Sequence, residues 1–244
     1  MNFRVFRPLL ACLFSGLTSG AEPIGVPKEL AEVPASNFCK VVDGTASKDG
    51  RLAAAAGFLR PGPIDWAKFR AERGYFDFDG EDKELANFLV DLKKDRVIAV
   101  LKGKHFGTRP AYNHESYHLA WSEDGKYLVE TQSWKWHTAT AMLYGLDGNG
   151  VIVSSMNLLP LVKEQLRVMA ERDHKVARQR FEEKYSVSLS DVAVDEAGRV
   201  SVEAWAEVPK SDEDPSVSLV IRFLPRVDAG GKITPGEVEA KKTQ

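Results

Sequence analysis

Six times along this 244-residue chain, two stretches rich in β-forming residues flank a short polar loop suited to reversing direction. Phe38 to Val42 and Arg51 to Phe58 flank Thr45 to Gly50, where Asp49-Gly50 supplies the positive φ that a hairpin turn wants. Phe88 to Leu92 and Val97 to Leu101 flank Lys93-Lys94-Asp95-Arg96. Tyr117, Leu119 and Trp121 alternate with His118 and Ala120 before Ser122-Glu123-Asp124-Gly125 turns the chain into Lys126 to Thr131. Thr138 to Leu146 and Val151 to Met156 flank Asp147-Gly148-Asn149-Gly150, and Ser188 to Val194 and Arg199 to Trp205 flank Asp195-Glu196-Ala197-Gly198. Val217 to Phe223 and Lys232 to Thr234 flank Asp228-Ala229-Gly230-Gly231. The expectation is an antiparallel β-meander of six hairpin-like units.

One long segment departs from this pattern. Between Leu158 and Tyr185, the apolar residues Val162, Leu166, Met169, Val176, Ala177 and Phe181 recur at three- and four-residue steps, with charged residues between them. This predicts one amphipathic helix at about 158–185 whose stripe lies on a sheet. Asp173 and His174 near its middle argue for a kink, a break or a half-exposed turn. Trp66, Phe69 and Arg73 predict a second, short helix closed by Gly74. The fold class is α+β, dominated by antiparallel sheet.

The N-terminus addresses the chain for export. Arg4 and Arg7 precede the apolar run Leu9 to Leu17, and Ser19-Gly20-Ala21 places small residues where signal peptidase requires them. Residues 1–21 therefore read as a signal peptide, and the mature protein as periplasmic or extracellular. No later stretch approaches the roughly 20 apolar residues of a transmembrane helix. Cleavage takes Arg4 and Arg7 from the 33 basic residues, which leaves 31 against 35 acidic ones and a net charge of −4. Such a balance gives no basic excess for nucleic acid or an anionic membrane surface. Cleavage also removes Cys12, so Cys39 stands alone, without an intrachain disulfide partner, and reads as a buried, inert thiol. Pro23, Pro27 and Pro34 mark 22–36 as an extended leader. Residues 37–234 form a single β-rich domain, and the polar 235–244 a flexible tail.

Trp121-Ser122-Glu123-Asp124-Gly125-Lys126-Tyr127-Leu128 resembles the inner hairpin of propeller blades in the WD40-like and TolB-like repeats. Ser47-Lys48-Asp49-Gly50-Arg51-Leu52 is a fainter copy. The resemblance implies hairpins of the kind used in exported binding and scaffolding domains. More broadly, the chain is similar to exported bacterial proteins to which no activity is attached.

Chemistry concentrates in one region. Four of the five histidines, His105, His114, His118 and His137, fall within residues 105–137, beside Arg109, Tyr112, Asn113, Trp134 and Trp136. Trp134-Lys135-Trp136 offers two flat apolar faces with a cation between them, suited to stacking on a sugar ring or gripping a peptide. His105 to Asn113 and Ser133 to His137 read as connections, where binding groups sit on a β scaffold. The candidate ligand-binding set is His105, Arg109, Tyr112, Asn113, His114, Trp134, Trp136 and His137, with no cofactor. Bland packing of these aromatics is the competing reading.

His114-Glu115-Ser116-Tyr117-His118 also matches H-E-x-x-H, the zinc-protease signature, which requires a helix to bring both imidazoles onto one ion. Here strand alternation follows it, and on a strand residues i and i+4 lie about 13 Å apart. Asp77, Asp79, Glu81 and Asp82 form an acidic cluster without the twelfth-position Glu of an EF-hand. The leading expectation is an exported, soluble, non-catalytic binding protein for a peptide or carbohydrate. The alternatives are a metal-dependent hydrolase using His114, Glu115 and His118, and an interaction protein using its long helix. Exposure of Val162, Leu166 and Met169 would favour the last, and their burial would remove it.

Overall fold

In a computed structural model, which describes residues 25–59, 69–70, 75–76, 85–103, 116–228 and 231–243, the turns form around their own side chains. Ser47 and Ser122 build the same structure. Each hydroxyl donates to the carboxylate two residues on, Asp49 at 2.6 Å and Asp124 at 2.8 Å. Each also accepts the backbone N–H five residues on, from Leu52 and from Tyr127, both at 2.9 Å. Gly50 and Gly125 occupy the left-handed region, at φ 64° and 68°, where a Cβ would be penalised. Asp147 and Asp195 instead open their turns, each accepting backbone N–H groups two and four residues ahead. These carboxylates make the chain reverse where Asp and Gly stand in the sequence.

In chain order the described elements are α1 (Lys28–Ala31), β1 (Cys39–Val41), β2 (Leu52–Phe58), β3 (Phe69–Arg70), β4 (Tyr75–Phe76), β5 (Leu85–Asp91), β6 (Arg96–Val100), β7 (Ser116–Trp121), β8 (Tyr127–Ser133), β9 (Thr138–Leu146) and β10 (Ile152–Asn157). There follow α2 (Leu159–His174), α3 (Arg178–Lys184), β11 (Ser186–Val194), β12 (Val200–Glu207), β13 (Val217–Val227) and β14 (Ile233–Lys242). The strands form three four-stranded sheets and a small ribbon. Sheet one has the order β1-β2-β5-β6, sheet two β7 to β10 in sequence, and sheet three β11 to β14 in sequence. Every pairing is antiparallel.

The sheets stack, with sheet two in the middle. Leu128, Met142, Tyr144 and Leu146 on one face of sheet two meet Leu52, Ala54, Ala56 and Leu89 of sheet one. Val129, Ala141 and Leu143 on the other face share a core with Val202, Ala204, Leu219 and Ile221 of sheet three. Burial on both faces explains why β2 and β5 read as nearly continuous apolar runs, buried at every residue. The Gly-bearing turns gather at one end of the stack. There Lys48 Nζ lies 3.6 Å from Glu123, and the Tyr127 ring lies against Gly198.

The antiparallel, strand-rich character of the chain agrees with expectation; several finer features differ. The strands divide among three sheets instead of running as one meander. The long helix is two helices: Lys175 adopts φ 58°, caps α2 through its N–H to Ala170, and breaks the axis before α3. Val162, Leu166 and Met169 are all buried against sheet three, which removes the reading of this helix as a partner surface. Phe69–Arg70 pairs as strand with Tyr75–Phe76 where a short helix was expected. The segment read as an extended leader, 22–36, carries α1 and the start of a 3₁₀ turn at Ala35–Asn37, and its Leu30 and Ala35, with Phe38 just beyond it, cover the outer face of sheet one. Phe38 meets Phe88 edge to face at 5.8 Å. The polar tail, expected to fray, continues as β14 along β13 as far as Lys242. The signal peptide 1–21 and the acidic cluster Asp77 to Asp82 lie outside the described residues. Among the described residues, no helix is long and apolar enough to cross a membrane.

Cys39 is buried under Leu30 and Phe38, and that burial pushes its thiol well above the usual cysteine range. Since the thiolate is the nucleophile, native protein should react with iodoacetamide only as fast as it opens. Complete alkylation within minutes, at the rate of a free thiol, would contradict this placement of β1.

Candidate binding surface

The β8–β9 connection is the Trp134-Lys135-Trp136-His137 turn, and both neighbouring sheets hold it. Trp134 N–H donates to His137 O at 2.8 Å, closing the turn on itself. Just inside it, the hydroxyls of Ser133 and Thr138 share a hydrogen bond of 2.8 Å. Sheet three then fastens it from the side, because Leu189 N–H donates to Thr138 Oγ1 at 2.9 Å and Ser188 Oγ to Trp136 O at 3.3 Å. With its backbone tied down, the turn presents side chains instead of hiding them. Trp136 is 39% exposed, Lys135 and His137 are exposed, and Trp134 is half-buried. Lys135 Nζ stands 4.9 Å from the centre of the Trp136 ring, a cation–π contact that orients both.

Of the residues singled out in the sequence, the structure brings Trp134, Trp136 and His137 together on this turn. Ser116 pairs with Ser133, so the turn lies at the same end of sheet two as the start of β7. His118 is on β7, exposed, on the face opposite Tyr117, and it pairs with Thr131. His105, Arg109, Tyr112, Asn113, His114 and Glu115 lie outside the described residues. Among the described residues, no three His, Cys, Asp or Glu side chains come together as metal ligands.

At the opposite end, the two blade-like turns face each other across a cleft of about 450 Å³ lined by Ser47, Lys48, Arg51, Glu123, Lys126 and Asp147, among others. Its carboxylates are already engaged. The Ser47 hydroxyl holds Asp49 below the usual carboxylate range. Lys126 does the same for Asp124, and the Val151 N–H for Asp147. This cleft is a wet junction between turns, with little left over to recognise a ligand.

Sequence reasoning passed over Glu130, which is fully buried between sheets one and two. A single Glu in a strand reads as solvent-facing. The available signal was its place in step with Leu128, on the face that the packing of both sheets buries. No protein-family model matches this chain, and no curated protein sequence matches it either.

Proposed function

We propose that this is an exported, non-catalytic binding protein whose recognition surface is the β8–β9 turn, and that the ligand is a flat-faced sugar or an extended peptide. A half-exposed Trp136 carried on a backbone fastened from two sheets supports this reading best. An aromatic ring held rigidly in water offers contact area at little cost in conformational entropy. Lys135 beside it adds a charge that can follow an anionic or hydroxyl-rich partner. The six hairpins, taken in pairs, supply a stiff scaffold in the manner of blade-like units, and such scaffolds carry binding groups on their connections.

Alanine substitution separates recognition from packing. Trp136→Ala should melt within a few degrees of wild type and abolish the fluorescence change on titration with neutral oligosaccharides or an extended peptide. Trp134→Ala, which removes a half-buried ring, should cost more stability. A fully packed Trp would lose about 3–5 kcal/mol on truncation. If both variants melt far below wild type, the surface is packing and the proposal fails.

A further inference from the structure

The stack of sheets is finished differently at its two ends. Leu30, Ala35 and Phe38 cover the outer face of sheet one, whereas the outer face of sheet three is open. β12 sends Val202, Ala204 and Ala206 into the core, and Ser201, Glu203, Trp205 and Glu207 face outward, half-buried. β13 alternates in the same way. Ser218 and Val220 are half-buried on the outer face, and Arg222 and Leu224 are exposed there. An antiparallel sheet can leave one face to water when that face is polar. This one carries Trp205 and Val220 near its middle, and Leu224 is 46% exposed.

The register lays the face out in rows that run from β11 towards β14. One row reads Ser188, Trp205, Ser218. The next reads Asp191, Glu203, Val220, Lys241, and the third Ala193, Ser201, Arg222, Glu239. In the middle row both acids lie on one side and the base on the other. Among the described residues, none of Asp191, Glu203, Arg222 and Lys241 forms an ion pair within the chain. A twofold axis parallel to the strands, between β12 and β13, would set each row against its own reverse. Asp191 then faces the partner's Lys241, twice by symmetry, and Trp205 faces the partner's Ser218, a large side chain over a small one. Glu203 faces the partner's Val220, and Arg222 the partner's Ser201. No row sets like charge against like.

We propose that the outer face of sheet three is a self-complementary docking surface and that its occupant is a second copy of this chain, in a symmetric dimer. Four strands about 4.8 Å apart, with about eight residues at about 3.4 Å each, outline about 500 Å² on each copy and about 1,000 Å² in all. That lies at the lower bound of a specific interface, so the dimer forms at micromolar concentrations and comes apart on dilution. It does not depend on which ligand the β8–β9 turn takes.

Sedimentation velocity from about 1 µM to about 200 µM protein brackets such an interface. Wild type should pass from monomer to dimer across that range. Lys241→Asp, which sets acid against acid at both ends of the contact, should weaken the dimer at least about tenfold, and Asp191→Lys should do the same. Both positions are exposed, so the variants should fold. The double variant Asp191→Lys/Lys241→Asp should recover wild-type association. Within one chain the two residues stand three strands apart, about 14 Å, so a rescue can only come from pairing between copies. A wild type that stays monomeric throughout overturns the proposal. So does a dimer indifferent to Lys241→Asp, or a double variant as weak as the single ones.

Discussion

Phe181→Ala should cost about 3–5 kcal/mol of stability, although it touches only a seven-residue helix. A helix as short as α3 does not hold together in water by itself. Phe181 is its one buried residue, with no exposed surface. The ring stacks on Tyr185 at 4.9 Å with 17° between planes, and the Tyr185 hydroxyl donates to Pro215 O at 3.0 Å. Removing the phenyl group leaves a cavity in the core shared by sheets two and three and undocks α3 from α2. For a chain of this size each kcal/mol lowers Tm by about 2–4 °C, so calorimetry should show a fall of about 6–20 °C. Phe181→Leu should keep most of the stability. An alanine variant melting within 2 °C of wild type would mean that α3 only lies on the core.

Phe181 also marks how far the sequence could be read. Its helical spacing from Val176 and Ala177 was legible, because periodicity is local. The break falls at Lys175, directly after the Asp173-His174 pair that argued for a kink, a break or a half-exposed turn, although a lysine occupies the left-handed position where glycine would have announced a full stop. Turns were legible for the same local reason: Ser47, Asp49 and Gly50 satisfy one another within six residues. The partition into three sheets was not. Pairing β2 with β5 joins Phe58 to Leu85 across an excursion of the chain, and only long-range burial decides it. The prolines near residues 27–34 suggested an extended leader, but Leu30 and Ala35 find a place on sheet one that no local rule reveals. β14 misled in the opposite sense. Glu237, Glu239 and Lys241 look like a solvated tail, yet the ladder with β13 orders them while their side chains stay wet. Trp136 could be picked out by composition alone. Glu130 could not, because its donors Tyr117 and Tyr144 come from neighbouring strands.

Arg51→Met should be the most costly single change among the turn residues, because it strands a buried charge. Asp91 has no exposed surface. Arg51 Nε donates to it at 3.0 Å, and Lys93 and Lys94 N–H at 3.1 and 3.0 Å. The far end of the same guanidinium reaches the carbonyls of Gly148 and Asn149, so one side chain fastens sheet one to a turn of sheet two. Breaking a buried pair from one side costs about 3–5 kcal/mol, and the two remaining N–H donors place the expected loss near the lower end. Burial alone would push the Asp91 carboxyl up. The Lys94 N–H and Arg51 outweigh it, and the net direction is below 3.8. A carboxylate lowered by folding contributes stability that is present above its unfolded value and lost as pH falls through the folded one. In Arg51→Met the carboxyl is held down less, since burial is then opposed by the Lys93 and Lys94 N–H groups alone. Urea denaturation at pH 7 should show the full deficit, at pH 3.5 a smaller one, and Asp91→Asn in the same chain should recover part of it. A loss under about 1 kcal/mol at pH 7, or a deficit that widens in acid, would class the pair with exposed surface bridges and leave the union of sheets one and two to their shared apolar core and to Trp121, whose indole N–H donates to Thr45 O at 2.9 Å.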